Sequence, residues 1–178
     1  MKAEIICSGF GGQGVLTIGK FLAQAAMKEG KNVSWLPSYG PEMRGGTANV
    51  SVVISDEEIA SPLVSHPDIL VALNQPSVDK FGPMVKENAI VLINTDMSPN
   101  KLNRDDVDIV YAPMSTIAIE CGSVRVLNMV SIGMVIGKTK LVKYETMEQD
   151  LTDFLEQKSP ELLQANLNAL KRGMDFFK

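Results

Sequence analysis

Histidine and cysteine are close to absent: His66 stands alone, and Cys7 and Cys121 are the only thiols in 178 residues. Two thiols build no disulfide framework, zinc site or iron–sulfur cluster. Cys7, inside an apolar run, reads as a small buried residue. His66 precedes Pro67 in an irregular stretch and reads as structural or exposed. No Ser/His/Asp or Cys/His set is evident, and no carboxylates cluster at metal-ligand spacing, so no catalytic residue and no metal site is expected. The acids between 145 and 156 repeat along a helix and read as its solvated face.

A basic surplus is lacking too. Seventeen Lys and Arg face 21 Asp and Glu, a net charge of −4, which leaves no electrostatic footprint for nucleic acid. No apolar run approaches the roughly 20 residues of a membrane span. The longest, Val124 to Ile136, is interrupted by Arg125, Asn128 and Ser131. Glycines cut the first apolar run before it could serve as a signal-peptide core. The expectation is a cytoplasmic protein with neither membrane nor nucleic-acid partner.

What is present is glycine in a telling place. Ser8-Gly-Phe-Gly-Gly-Gln-Gly14 lies between the apolar run Ile5-Ile6-Cys7 and an apolar-periodic segment, Val15 to Met27. Gly9, Gly11 and Gly14 fit G-x-G-x-x-G, with Gly12 as a fourth glycine. After a strand and opening a helix, that spacing suits a phosphate. The first glycine would serve the turn, the second the approach of a pyrophosphate, and the third helix–strand packing. A tight turn without a ligand is the competing reading.

Further along, strand patterns at 3–8, 32–36, 47–55, 69–73, 89–93 and 107–111 alternate with helix patterns at 14–29, 77–85, 115–120 and 126–138. Helices near 146–157 and 160–177 close the chain, the last marked by Ser159 as N-cap and Pro160 at its first position. Gly133 and Gly137 in the buried 126–138 helix mark close packing or its end. This order predicts one Rossmann-like α/β domain over 1–178: three layers, a mostly parallel sheet, and C-terminal helices of about 146–177 packed on it. The 47–55 strand follows its predecessor too closely for a helical crossover, which predicts a β-β insertion. The segment Pro37 to Gly46, with two prolines and three glycines, reads as a loop. Both it and the glycine loop then open at the carboxyl edge of the sheet, where one ligand could touch both.

The end of the second strand, Val33-Ser-Trp-Leu-Pro37, carries no acid for a nicotinamide ribose, which disfavours ordinary NAD binding. No G-K-[ST] closes a P-loop. Arg44, before Gly45 and Gly46, can meet a phosphate in bidentate fashion. Glu42 can hold Arg44 in place or pair across an interface, and Tyr39 can stack on a base or pack on the turn. The residues describe a platform for a phosphate-bearing ligand without a complete catalytic apparatus.

Two stretches, Gly9-Phe-Gly-Gly-Gln-Gly-Val15 and Ser38-Tyr-Gly-Pro-Glu-Met-Arg-Gly-Gly-Thr-Ala48, resemble the gamma subunit of 2-oxoacid:ferredoxin oxidoreductases. The similarity continues through Ile54-Ser-Asp-Glu-Glu-Ile59, Ser61-Pro62 and Leu73-Asn-Gln-Pro76. It implies a subunit of an enzyme that decarboxylates a 2-oxoacid on thiamine diphosphate with Mg, passes electrons through 4Fe-4S clusters to ferredoxin, and acylates coenzyme A. Thiamine and clusters would belong to alpha, beta and ferredoxin-like delta partners in a hetero-oligomer, leaving the isolated chain inactive. The gamma component would help close the active site and bind coenzyme A. The residues carried over are Gly9, Gly11, Gly12, Gln13, Gly14, Ser38, Tyr39, Glu42, Arg44 and Gly45. The Glu-Met-Arg-Gly form is more similar to 2-oxoglutarate and branched-chain enzymes than to pyruvate enzymes, with 2-oxoglutarate preferred. An indolepyruvate oxidoreductase subunit, a free-standing nucleotide-binding module and a structural adaptor stay open as alternatives.

Overall fold

The computed structural model describes residues 1–39 and 47–178. Strand β1 (Lys2–Phe10) sends Ile5 and Cys7 into one apolar cluster and Ile6 into another, as a strand covered on both faces must. Helix α1 (Val15–Lys28) buries Ile18, Phe21, Leu22 and Ala25 against the first of these faces. It ends in a Schellman motif. Gly30, at φ 80°, lets its own N–H reach Met27 O and the Lys31 N–H reach Ala26 O, closing two orphan carbonyls.

Then follow β2 (Asn32–Tyr39), β3 (Thr47–Ser55), β4 (Ile69–Ala72), α2 (Gln75–Phe81), β5 (Ile90–Asn94), β6 (Asp108–Ala112) and α3 (Met114–Glu120). Three more helices complete the chain: α4 (Leu127–Thr139), α5 (Tyr144–Leu155) and α6 (Pro160–Met174). The strands form one sheet in the order β2-β3-β1-β4-β5-β6. β1, β4, β5 and β6 pair in parallel, while β3 lies antiparallel to both β1 and β2. Helices α1 and α3 to α6 share the core on one face; α2 and the segment around Val85 and Leu102 cover β1, β4 and β5 on the other. This is the expected three-layer α/β architecture, and the β-β insertion is present.

Its placement differs from the simplest expectation in one respect. β2 does not complete a βαβ pair beside β1, because β3 occupies that slot. The strand β2 is also longer than expected and takes in Pro37, Ser38 and Tyr39, read from sequence as loop. Pro37 is tolerated because β2 is an edge strand, where a missing N–H need not break a ladder.

Among the described residues, no helix is long and apolar enough to cross a membrane. The second of the two expected C-terminal helices starts as predicted, with Ser159 Oγ accepting from the Leu162 N–H at 3.2 Å. Helices α4 and α6 cross at backbone distance. A Cβ on Gly133 would overlap the Leu170 carbonyl oxygen, and one on Gly173 would overlap that of Val130. Gly173→Ala therefore forces the two helices apart. The expected loss is about 1–3 kcal/mol, read as a lower urea midpoint with an unchanged slope.

At the amino edge of the sheet, Lys86 Nζ donates to Glu4 Oε2 at 2.7 Å and to Asp68 Oδ1 at 2.8 Å. Asp68 Oδ2 in turn accepts the Glu4 N–H at 2.8 Å, tying β1 to β4's approach. Burial works to raise the Glu4 pKa, but Lys86 and Lys2 outweigh it and hold the carboxyl below its ordinary value. A lowered carboxylate pKa contributes stability above the unfolded value of about 4.3, lost as pH falls through the folded one. Lys86→Met should thus flatten the acid limb of the stability profile below about pH 4.5 relative to wild type; parallel limbs would count against the network.

Candidate functional site

Because β1 and β2 both run antiparallel to β3, their carboxyl ends emerge at the same edge of the sheet. The register brings them together: Phe10 pairs with Thr47, and Tyr39 pairs with Ala48. Between them and the start of α1 lies a cleft of about 270 Å³, lined by Phe10, Gly11, Gly12, Gly14, Leu16, Thr17, Tyr39 and Thr47 among others. The glycine loop and the end of β2 thus share one edge of the sheet; of the expected partner loop Pro37 to Gly46, residues 40–46 lie outside the described residues.

The loop itself is held by Gln13. Its N–H reaches Phe10 O at 3.2 Å, its Oε1 accepts the Phe10 N–H at 2.6 Å, and its Nε2 reaches Leu73 O at 3.5 Å. This inward side chain explains Gly9, a strand residue paired with Ala48 rather than a turn residue. A Cβ there would stand 2.5 Å from Gln13 Oε1 and 3.0 Å from both Leu73 and Val15. The positive φ angles fall instead on Gly12, at 93°, and Gly14, at 77°. Gly14 packs on α4 rather than on its strand: a Cβ would lie 3.0 Å from Asn128 Cβ. The sequence-based roles of the glycines thus shift by position, because the loop is shaped by side chains packed beneath it.

Gly14 is the N-cap of α1. No side chain caps that end, and no acid lies in the first turn. The first internal bond of this end joins the Ile18 N–H to Gly14 O, so the amides of Val15, Leu16 and Thr17 have no helical acceptor. All three residues line the cleft. Free amides and the positive end of the helix dipole together favour an anion there. Tyr39, 52% exposed, adds an aromatic wall opposite.

The other candidates divide. Gly11, Gly12, Gly14 and Tyr39 line the cleft; Gly9 and Gln13 support it from below. Ser38, adjacent to Tyr39 in an extended strand, pairs with Asn49 and takes the opposite face, so it is not brought to the cleft. Glu42, Arg44 and Gly45 lie outside the described residues. Phe10, Thr17 and Thr47 were missed by sequence reasoning; strand register was the signal for Phe10 and Thr47, and the first turn of α1 for Thr17. Cys7 is fully buried, which pushes its thiol up to about 12 and leaves it inert. His66 is tied to the Met84 carbonyl at 2.9 Å.

The chain matches the family described as pyruvate ferredoxin/flavodoxin oxidoreductase over residues 4–176. It belongs to that family. It is 42% identical over 177 residues to ketoisovalerate oxidoreductase subunit VorA of Methanothermobacter marburgensis, matching 98% of this chain but only 36% of VorA's length. The chain thus spans about a third of that relative. It is also 38% identical to 2-oxoglutarate synthase subunit KorC of Methanocaldococcus jannaschii, over 100% of this chain and 95% of KorC. Among solved structures, the gamma subunit of the keto/oxoacid ferredoxin oxidoreductase of Geobacter sulfurreducens superposes with a TM-score of 0.81 at 31% identity, covering 97% of this chain and 96% of that one. The 2-oxoglutarate:ferredoxin oxidoreductase of Magnetococcus marinus, solved with 2-oxoglutarate, coenzyme A and succinyl-CoA bound, gives 0.88 at 26% identity, over 97% of this chain and 30% of that one.

Within this oxidoreductase family member, Gln13 is the clamp that shapes the cleft. Gln13→Ala removes the side-chain acceptor of the Phe10 amide, a bond of about 1 kcal/mol. Amide exchange at Phe10 should accelerate roughly fivefold, read by hydrogen–deuterium exchange; exchange at the wild-type rate would show that the clamp contributes nothing.

Proposed function

We propose that this chain is the gamma subunit of a hetero-oligomeric 2-oxoacid:ferredoxin oxidoreductase, and that its cleft binds coenzyme A at a phosphate. The reading is carried by one observation: the uncapped amino end of α1 opens into the cleft walled by Tyr39. The Val15, Leu16 and Thr17 amides would donate to a phosphate oxygen. Tyr39 would lie against the nucleotide, and Arg44 would supply a cation from the adjoining segment. Charge at such a helix end is stabilised by about 0.3–1 kcal/mol, so the site positions its ligand rather than binding it tightly alone.

The overall reaction would be 2-oxoacid plus coenzyme A and two one-electron equivalents of oxidised ferredoxin giving acyl-CoA, carbon dioxide, a proton and two equivalents of reduced ferredoxin. With two cysteines, this chain cannot ligate a 4Fe-4S cluster, which takes four thiolates. Among the described residues no group of three or more His, Cys, Asp or Glu is placed to hold a metal ion. In the proposed complex, clusters, thiamine diphosphate and Mg would belong to alpha, beta and delta partners, with the complex in the cytoplasm. This chain's contribution is to bind coenzyme A and close over it.

For the 2-oxoacid, the near full-length similarity to KorC favours 2-oxoglutarate. The higher identity with VorA supports a second reading, a branched-chain 2-oxoacid. Both agree with the Glu42-Met-Arg-Gly45 form of the motif. Turnover of the purified complex with 2-oxoglutarate, 3-methyl-2-oxobutanoate, pyruvate and indolepyruvate separates them.

Two variants test the coenzyme A role in the assembled complex. Tyr39→Ala should raise KM for coenzyme A about tenfold, the scale of losing one base–aromatic stack. Arg44→Ala should raise it tenfold or more, as for a lost charged hydrogen bond of about 1.5–3 kcal/mol. KM for the 2-oxoacid should stay the same in both. Unchanged coenzyme A kinetics in both variants would overturn the assignment and favour a purely structural subunit.

A further inference from the structure

Beside the cleft lies a second, smaller one of about 160 Å³, and Thr17 lines both. Its floor is apolar, formed by Phe21, Met129 and Leu162, and its polar rim is Arg125 and Asn128. Asn128 stands in the seam between the two. Its Nδ2 lies 3.1 Å from the place a Gly14 Cβ would take, while its Oδ1 accepts the Met129 N–H at 3.0 Å. The amide donor on Nδ2 makes no hydrogen bond among the described residues.

Arg125 is exposed and sits in the short 3-10 turn Val124–Val126 that leads into α4. Ser123 Oγ accepts the Arg125 N–H at 3.2 Å and fixes the turn. The other arginines among the described residues are committed: Arg104 to Asp106 at 2.5 Å and Arg172 to Glu120 at 2.7 Å. Arg125 makes no ion pair among the described residues. A guanidinium that is always charged thus stands on the rim of a cleft that shares Thr17 with the one at the uncapped end of α1.

The geometry points to Arg125, with Asn128, as a second phosphate subsite, for a phosphate group remote from the one held at α1. This rests on the coenzyme A reading above and deepens it. A ligand with one phosphate cluster would use the α1 end alone. Coenzyme A carries two separated anionic centres, the pyrophosphate and the 3′-phosphate of the ribose. With the pyrophosphate on the α1 amides and Thr17 between the clefts, the 3′-phosphate falls to Arg125, over apolar ground that accepts the uncharged part of the nucleotide. Arg125 then selects coenzyme A against its 3′-dephospho form.

The test is a calorimetric titration of the intact complex with coenzyme A and with 3′-dephospho-coenzyme A. Wild type should prefer coenzyme A by at least tenfold in Kd. Arg125→Ala should weaken coenzyme A about tenfold, leave the dephospho form unchanged and so erase the preference; Arg125→Lys should restore part of it. Equal binding of both ligands by wild type, or equal weakening of both in Arg125→Ala, overturns the subsite. So does a variant that loses its partner subunits on gel filtration while keeping the preference, since Arg125 would then be an interface residue. Tyr39→Ala tells the two levels apart: it should weaken both ligands together. If Tyr39→Ala and Arg44→Ala both leave the binding of the two ligands unchanged, and Arg125→Ala does too, the underlying coenzyme A reading fails along with the subsite.

Discussion

The antiparallel insertion of β3 between β1 and β2 is the constraint on which the site depends. In an ordinary βαβ unit the two strands would lie side by side, and their loops would crowd one crevice. Here nine residue pairs from Lys2↔Ser55 to Phe10↔Thr47 hold β3 to β1, and eight from Asn32↔Ser55 to Tyr39↔Ala48 hold it to β2. The two outer strands are thereby spaced by one strand width, roughly 4.8 Å on each side. That spacing opens a cleft between the glycine loop and Tyr39. It also fixes which side chains reach it, since a register slip of one residue would exchange Tyr39 for Ser38.

The glycines make sense only on that frame. Gly9 is required because Gln13 folds beneath the loop, and Gly14 because α4 comes against the start of α1. Gly12 alone meets no neighbour and is explained by its backbone, at φ 93°. A further set, Gly133 and Gly173, brings α4 and α6 to backbone contact, while Asn128 in the first turn of α4 lies against Gly14. The same residue, Asn128, therefore reports on helix packing and on the rim of the site.

Much of this was legible in the sequence, and the failures share a cause. Helical and strand periodicities located the elements well, because they arise from local burial: Thr47 to Ser55 is strand from end to end, and Ser159 caps α6. The glycine spacing placed its loop between β1 and α1, at the carboxyl edge of the sheet, where the structure has it. What was not legible was pairing. Pro37 made residues 37–39 look like loop, yet the ladder to β3 holds them extended, and a ladder to a distant strand leaves no mark in a local window. Ser38 was grouped with Tyr39 on a shared motif, although the pleat sends neighbours to opposite faces. Gln13 was taken as a ligand contact, whereas satisfaction of the Phe10 amide turns it inward.

The family comparisons add a constraint that the fold alone would not suggest. The same architecture makes up almost all of KorC's length and about a third of VorA's. A fold that recurs both as nearly a whole chain and as part of a longer one must keep its core independent of what adjoins it. This one does, since helices cover the parallel strands on both faces and the Lys86–Glu4–Asp68 network closes the amino edge. What faces outward is different in kind. The edge strand β2 exposes Tyr39 at the cleft and Trp35 further along on the same face, while Leu36 is exposed on the other face. An edge strand bearing exposed large side chains is suited to pairing or burial against a neighbour. The cleft lies at the carboxyl end of this strand, so whatever covers β2 there also borders the cleft and the uncapped start of α1.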